Sequence, residues 1–196
     1  MINIKKAAMF GLDARIALAI FGALSVISGA ALYSAIQKSK VTAVITEMNE
    51  VGKAYDAYYL DTGSELEVTG VYVYLNIEKL ISDNKVGWNG PYLLNDKITS
   101  TWLNYKDVGE LGISEMLNGE WSSNSSNSNW NSSTRCDTGT VGGTCDIWIV
   151  YRDMPTDLYI SLENEIDNIV DGQNGNVRLV AWSGVENHVY LKYRPK

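Results

Sequence analysis

The residues best suited to bind a metal ion lie in one polar stretch, DNIVDGQNGN, at residues 167–176. Asp167, Asp171, Asn174 and Asn176 carry the carboxylate and amide oxygens that calcium prefers. The stretch lacks the closing glutamate of an EF-hand loop, and its Asp-Gly and Asn-Gly pairs are typical of turns. Two interpretations therefore stand: a calcium site with Asp167, Asp171 and Asn174 as candidate ligands, or a turn, which is favoured.

Few side chains are suited to catalysis or to zinc binding. His188 is the only histidine, and together with Cys136 and Cys145 it would leave a zinc ion short of its usual ligand set. The sequence has no G-x-S-x-G, G-x-x-x-x-G-K-S/T or G-x-G-x-x-G motif. His188 has no nucleophile partner in the sequence, so we predict that it is structural. We predict neither an enzyme nor a catalytic cofactor.

Two residues of opposite charge, Asp13 and Arg15, precede the longest apolar run of the chain. Residues 16–36 contain no charged side chain, and about twenty such residues suffice for a helix to cross a bilayer. A charge at the bilayer centre costs about 2.5–3.5 kcal/mol. The long side chain of Arg15 is expected to reach the membrane surface. The shorter Asp13 is expected either to pair with a positive group or to cap the helix at the membrane edge.

The helix predicted from this run continues beyond the membrane. Residues 12–60 contain no proline, so we expect one helix with residues 12–36 in the membrane and an amphipathic second half. In that half, apolar residues recur at three- and four-residue spacing and so share one helix face. They are Val41, Val44, Ile45, Met48, Val51, Tyr55 and Tyr58.

Charge predicts the orientation of this helix. The chain has 16 basic and 23 acidic residues, and Lys5 and Lys6 precede the apolar run. The positive-inside rule therefore keeps the N-terminus in the cytoplasm and exports residues 62–196, which we call the head. An acidic exported surface offers no electrostatic footprint for nucleic acid. Outside the cytosol, Cys136 and Cys145 are expected to form a disulfide that contributes roughly 2–3 kcal/mol.

The segment KKAAMFGLDARIALAIFGALSVISGAALY resembles the N-terminal segment of type IV pilins and of the pseudopilins of type II secretion systems. The resemblance implies that a prepilin peptidase removes a leader, residues 1–8, between Ala8 and Met9, and that Met9 is then methylated. Asp13 takes the place of the acid at the fifth mature position. The free amino terminus of a neighbouring copy can neutralise such a carboxylate, and the pair then helps to set the register of packed helices.

Several residues depart from the family pattern. Ala8 stands where the family has glycine, Asp13 replaces glutamate, Arg15 is unexpected, and the usual mid-helix proline is missing. A cut after Gly11 would supply the glycine but would put Ile16 in the acidic position. The cut after Ala8 is therefore favoured.

The head is expected to be one globular domain of residues 62–196, which follows the long helix of residues 9–61. The predicted fold is α+β and pilin-like: a long N-terminal α-helix packed on a globular head with an antiparallel β-sheet. β-Branched and aromatic residues predict strands at 146–152, 176–183 and 188–194, the last two joined by a hairpin at 184–187.

The rest of the head is assigned from periodicity and composition. Apolar residues at four-residue spacing, Leu158, Leu162 and Ile166, predict a helix within residues 154–170. The other expected elements are a short helix at 76–86, a turn and extended segment at 87–95, and a Ser/Asn-rich surface loop at 121–134 anchored by Trp121 and Trp130.

Two classes of function fit these features. The first is a structural subunit of a type IV pilus or pilus-like filament. It would reside in the inner membrane as a single-pass protein with a cytoplasmic N-terminus. An inner-membrane assembly platform would then polymerise copies of it through the N-terminal helix, with Asp13 and Arg15 as assembly residues. The product would be a cell-surface or periplasmic filament, and adhesion, twitching motility, DNA uptake and secretion all stay open as its role.

Within the first class, a major or minor pseudopilin of a type II secretion system is the alternative, while the expected disulfide and the fairly large head favour a pilus subunit. The second class is a membrane-tethered binding or sensor module. The leader and the amphipathic half of the helix argue against a tether, because a tether needs neither.

Overall fold

The computed structural model describes residues 4–69, 74–105, 109–119, 121, 136, 144–181 and 187–196, with side chains from residue 11 onward. The chain divides into two compact units, residues 1–40 and residues 41–196. In chain order the elements are α1 (Ile4–Thr62), a 3-10 helix (Ile77–Leu80), β1 (Leu103–Tyr105), β2 (Gly109–Leu117), β3 (Cys145–Arg152), α2 (Thr156–Ile166), β4 (Val177–Ala181) and β5 (Asn187–Pro195).

Helix α1 begins earlier and ends slightly later than the 12–60 range predicted from the sequence. No proline interrupts it, and residues 4–40 are rich in alanine and leucine, which favour a helix. The hydroxyl of Ser25, among the apolar residues, is satisfied by the helix itself, since its Oγ donates to the carbonyl of Phe21 at 2.8 Å.

The second half of α1 buries the predicted apolar stripe. Val41, Val44, Met48, Val51, Tyr55 and Tyr58 are all buried, and Ile45 packs against the same core. The stripe joins a cluster that includes Ile113, Ile149 and Leu191 from the sheet. The prediction of an amphipathic second half is confirmed, since the helical spacing puts these residues against the sheet.

The sheet has five strands in the order β1-β2-β3-β5-β4, and every neighbouring pair is antiparallel. Ile149 at the centre of β3 lies opposite Ile113 of β2 and Leu191 of β5. The α+β fold and the three strands predicted from the sequence are confirmed. The hairpin between β4 and β5 brings Ala181 opposite Asn187, while residues 182–186 lie outside the described residues.

Two strands, β1 and β2, were not predicted from the sequence. β2 reads GELGISEML, and its glycines and glutamates have a low preference for strands. Gly112 has a packing role, because a Cβ at this position would lie 2.8–2.9 Å from ring atoms of Trp102. Pairing with β3 along eight residue positions makes this segment a strand.

Helix α2 is shorter than the predicted 154–170 range but buries the predicted stripe. Leu162 is fully buried, and Leu158 and Ile166 pack against the core. The helix starts after Pro155 and ends before Asn168, which has a positive φ of 57°.

The remaining predicted segments are partly described. The expected helix at 76–86 is only one 3-10 turn, Ile77–Leu80; a turn follows at residues 86–87, and residues 88–95 form neither helix nor strand. Trp121 is fully buried and its indole N–H donates to the carbonyl of Leu117 at 2.8 Å, so it anchors the chain there. Residues 122–134 of the Ser/Asn-rich loop, Trp130 among them, lie outside the described residues.

Replacing Leu162 with alanine is expected to destabilise the head by about 2–5 kcal/mol, because the cavity in the core cannot close fully. Ile160→Ala is the matched control on the same helix, since Ile160 is 40% exposed. The control should change the free energy of unfolding by no more than about 0.5 kcal/mol. Denaturant unfolding of the full chain in detergent measures both. Equal losses from the two variants would contradict the packing of α2 by its Leu158–Leu162–Ile166 stripe.

Candidate functional site

In the first unit, the feature of functional interest is the apolar segment of α1. From residue 11 to residue 36 every side chain is exposed, including large apolar ones such as Leu18, Phe21 and Val26. Among the described residues, α1 is the one helix long and apolar enough to cross a membrane. A protein interior or a lipid environment is the favourable place for such a surface. The helix is therefore compatible with single-pass anchoring.

The predicted processing and assembly residues all lie on α1. Ala8 and Met9 are helical, and their side chains are outside the described residues. Asp13 and Arg15 are both exposed. Because residues two positions apart in an α-helix point to opposite sides, these two charges do not face each other within one chain.

In the second unit, α1 is fastened to β5 by a group of polar side chains that we call the Asp56 clasp: Asp56, Tyr193 and Arg194. Asp56 accepts hydrogen bonds from the hydroxyl of Tyr193 at 2.7 Å and from Arg194 Nε at 2.8 Å. Burial, together with the Asp56 carboxylate, raises the pKa of Tyr193 to about 12, so the hydroxyl stays a donor at physiological pH. The ring of Tyr193 occupies the space where a Cβ on Gly52 would stand.

A second polar contact holds the 3-10 helix region against α1. Asp83, whose side chain is 3% exposed, accepts hydrogen bonds from Tyr58, Lys79 and the backbone N–H of Asn84. Burial and the Asp83 carboxylate raise the pKa of Tyr58 to about 12. A cavity of about 200 Å³ lies beside these groups. Because these side chains hydrogen-bond to one another, their role is to fasten residues 79–84 to α1.

The predicted disulfide between Cys136 and Cys145 is present, with 6.0 Å between the two Cα atoms. Cys145 is the first residue of β3, so the bond ties Cys136 to the sheet. The intervening residues 137–143 lie outside the described residues.

The calcium candidates form hydrogen-bonded turns. Asp171 Oδ1 accepts the backbone N–H groups of Gln173 and Asn174 at 2.9 Å, and its Oδ2 accepts from the Asn174 amide at 2.8 Å. Burial alone would raise the pKa of Asp171, but these hydrogen bonds outweigh it and hold the pKa below its usual value. Gly172, with a φ of 68°, follows in the left-handed conformation that glycine tolerates best.

Asp167 serves the same turn from the end of α2. Its carboxylate accepts the backbone N–H groups of Asn176 and Val177 at 2.8–2.9 Å. Among the residues that the structure describes, no group of three or more His, Cys, Asp or Glu side chains is placed to hold a metal ion. The geometry is that of turns capped by carboxylates, and calcium binding by Asp167, Asp171 and Asn174 stays a prediction.

A buried carboxylate that no sequence pattern indicated supports these turns. Glu163 of α2 is fully buried, and its Oε1 accepts the backbone N–H groups of Gly172 at 2.6 Å and Asp171 at 3.2 Å. Burial, followed by a hydrogen bond to Glu163, raises the pKa of Tyr159. In the sequence, Glu163 lies between Leu162 and an exposed residue. Nothing in that pattern distinguishes it from an acid on the surface.

His188 is buried in an aromatic group on the sheet. Its ring lies edge-on to Trp102 with centroids 5.7 Å apart, and its Nδ1 is 3.3 Å from the hydroxyl of Tyr74. The hydroxyls of Tyr74 and Tyr190 are 2.7 Å apart. These contacts give His188 a packing role in the head.

No family model matches the sequence, no curated protein matches it, and no solved structure matches the fold. The fold and the apolar segment define an α+β protein that carries one helix able to span a membrane and one disulfide in the described residues. This architecture is consistent with a pilin-like fold.

Replacing Asp171 with asparagine is expected to lower the free energy of unfolding by about 1–3 kcal/mol at neutral pH, because hydrogen bonds to a charged acceptor are lost. The pKa of Asp171 is depressed in the folded state, so its contribution is fully present above the ordinary value of 3.8 and is lost as the pH falls below it. The free energies of unfolding of the two proteins, measured between pH 7 and pH 2, should therefore converge as the pH falls.

The control for this prediction is Glu165→Gln, which removes one exposed carboxylate of α2. It should leave the stability within about 0.5 kcal/mol of the original. A loss in Asp171→Asn that is the same at every pH would contradict the role of the charged carboxylate.

Proposed function

We propose that this chain is a structural subunit of a type IV pilus or pilus-like filament. It is made as a single-pass inner-membrane protein with its N-terminus in the cytoplasm. A prepilin peptidase cuts between Ala8 and Met9, Met9 is methylated, and an assembly platform polymerises the chain through α1.

The observation that carries the proposal is the composition of α1 along its length. One uninterrupted helix contains an apolar segment exposed on all sides at residues 11–36 and a stripe at residues 41–58 buried in its own domain. An all-round apolar helix is suited both to a lipid reservoir and to a bundle of identical helices. A helix that only anchored a module would gain nothing from continuing as a core element of that module.

The order of features along the sequence supports the same proposal. Two lysines precede a small residue at position 8, an acid follows five positions after the cut, and the apolar run comes next. The disulfide fits an exported head, because disulfides persist in oxidising compartments. A pseudopilin of a type II secretion system uses the same processing and the same helix, so the proposal includes a pseudopilus.

Processing gives the first test of this proposal. In a host with a prepilin peptidase, mass spectrometry of the membrane-extracted chain should find a peptide that begins with methylated Met9. Ala8→Leu should block the cut because the enlarged side chain falls at the cleavage site. Gly11→Leu is the matched control and should leave the cut at Met9 intact. An unprocessed leader in the original chain would refute the filament proposal and favour a membrane-tethered module.

Assembly gives the second test. Negative-stain images of sheared material should show filaments that require this chain. Asp13→Ala should lower filament yield at least about tenfold while cleavage at Met9 persists. The reason is that the Asp13 carboxylate can then no longer pair with a positive group of a neighbouring copy inside the filament. Ser28→Ala, an uncharged change on the same exposed segment, is the control and should keep the yield. Normal filaments from Asp13→Ala would contradict the assembly role of Asp13.

A further inference from the structure

Arg15 lacks a partner of opposite charge along its own helix. Asp13 is two positions away and points to the opposite side of α1. The residues three and four positions on either side of Arg15 are all apolar or glycine, and the same is true of Asp13. Both side chains are exposed on the helix. Each copy of α1 therefore presents an isolated acid on one side and an isolated base on the other.

The sequence leaves a single acid at this level of the helix. Asp13 is the only carboxylate in the first 46 residues, and the next acid along the chain is Glu47. Glu47 is 32 residues beyond Arg15, which corresponds to about 48 Å along the axis of a helix. In a bundle of parallel α1 helices, the acid within reach of Arg15 belongs to Asp13 of another copy.

We propose that Arg15 of one copy pairs with Asp13 of a neighbouring copy, an inference that rests on the proposed assembly through α1. Guanidinium and carboxylate groups form strong, directional hydrogen bonds, and either charge left without a partner where water is excluded would be strongly destabilising. The carboxylate has two oxygens and about four acceptor sites, so pairing with Arg15 leaves room for a second donor, such as an amino terminus.

The opposite placement of the two charges determines the kind of assembly. A copy whose Asp13 pairs with one neighbour can pair its Arg15 with a second neighbour on the opposite side. Such a contact joins two different surfaces, and contacts of this kind generate open helical polymers when the rotation does not close into a ring. Asp13 and Arg15 differ by about 3 Å along the axis, so the pair also restricts how far adjacent helices slide.

Cross-linking between copies of the full chain in membranes tests this pairing. Ala17 lies one turn from Asp13 on the same face, and Ala19 lies one turn from Arg15 on its face, so cysteines there leave both charges in place. Copies with Ala17→Cys and copies with Ala19→Cys are expressed together and oxidised. The mixed dimer, linked between positions 17 and 19, should exceed the dimer of either variant alone by about tenfold, because the charge pair brings these two positions of different copies together.

Charge variants in both copies test the role of Arg15 itself. Arg15→Gln should lower the mixed dimer about tenfold, whereas Arg15→Lys should retain most of it because the positive charge remains. A mixed dimer that Arg15→Gln leaves unchanged would overturn the proposal. So would equal yields of the 17–17, 17–19 and 19–19 dimers.

A complementation experiment distinguishes the pair from a general effect of charge. Copies with Arg15→Asp carry two acids and copies with Asp13→Arg carry two bases, so neither type should cross-link with itself. Together, with Ala17→Cys on the acidic copy and Ala19→Cys on the basic one, they should recover the mixed dimer. Failure to recover it, when both copies reach the membrane in normal amounts, would also overturn the proposal.

The outcome is separable from that of the proposed function, since cross-linking is read without cleavage or filament yield. The expected dimer pattern with an uncut leader would refute the filament and keep the pairing. A leader cut at Met9 with no preference for the mixed dimer would overturn the pairing and keep the filament.

Discussion

The burial of one face of α1 against the sheet is the interaction on which the rest of the head depends. Met48, Val51 and Tyr55 are fully buried in a core shared with β2, β3 and β5. Each such side chain contributes about 1.5–3 kcal/mol relative to exposure, so a few turns of this helix supply much of a domain's net stability. The same contact explains why α1 stays helical beyond its apolar segment: the second half is a core element.

The sheet is covered on both faces, which explains the composition of its central strand. A second buried cluster contains Trp148 of β3 with Trp121 and Tyr190, and Trp121 is edge-on to both of the other rings. β3 is therefore apolar on both sides. On the outer strands, the backbone N–H of Asn104 donates to the carbonyl of Asp96, and that of Leu179 donates to the carbonyl of Gly172. A partner on an outer strand reduces the number of unpaired backbone groups available for strand addition.

Ion pairs along the end of β5 connect it to three other elements. The register of β5 against β3 shifts between Ile147 and Trp148, so Lys192 lies opposite Trp148 and Arg194 lies opposite Ile147, on different faces of the sheet. Lys192 meets Asp146 of β3, Arg194 meets Asp56 of α1, and Lys196 meets Glu115 of β2. Asp146 and Glu115 are buried, and a buried carboxylate without a partner would be strongly destabilising. These pairs fasten the last strand to β3, α1 and β2.

Local patterns in the sequence determined the apolar segment, the buried stripe of α1, the Leu162 face of α2 and strands β3, β4 and β5. Helical and strand periodicities are properties of neighbouring residues, so one segment is enough to recognise them. Only the tertiary structure decided that the glycine-containing segment of β2 is a strand, because its partner β3 imposes the extended conformation. It also decided that Asp56 meets Arg194, 138 positions away, and that Asp171 caps a turn. Which distant group a charge or a backbone N–H meets depends on how the whole chain packs, and no local spacing encodes that choice.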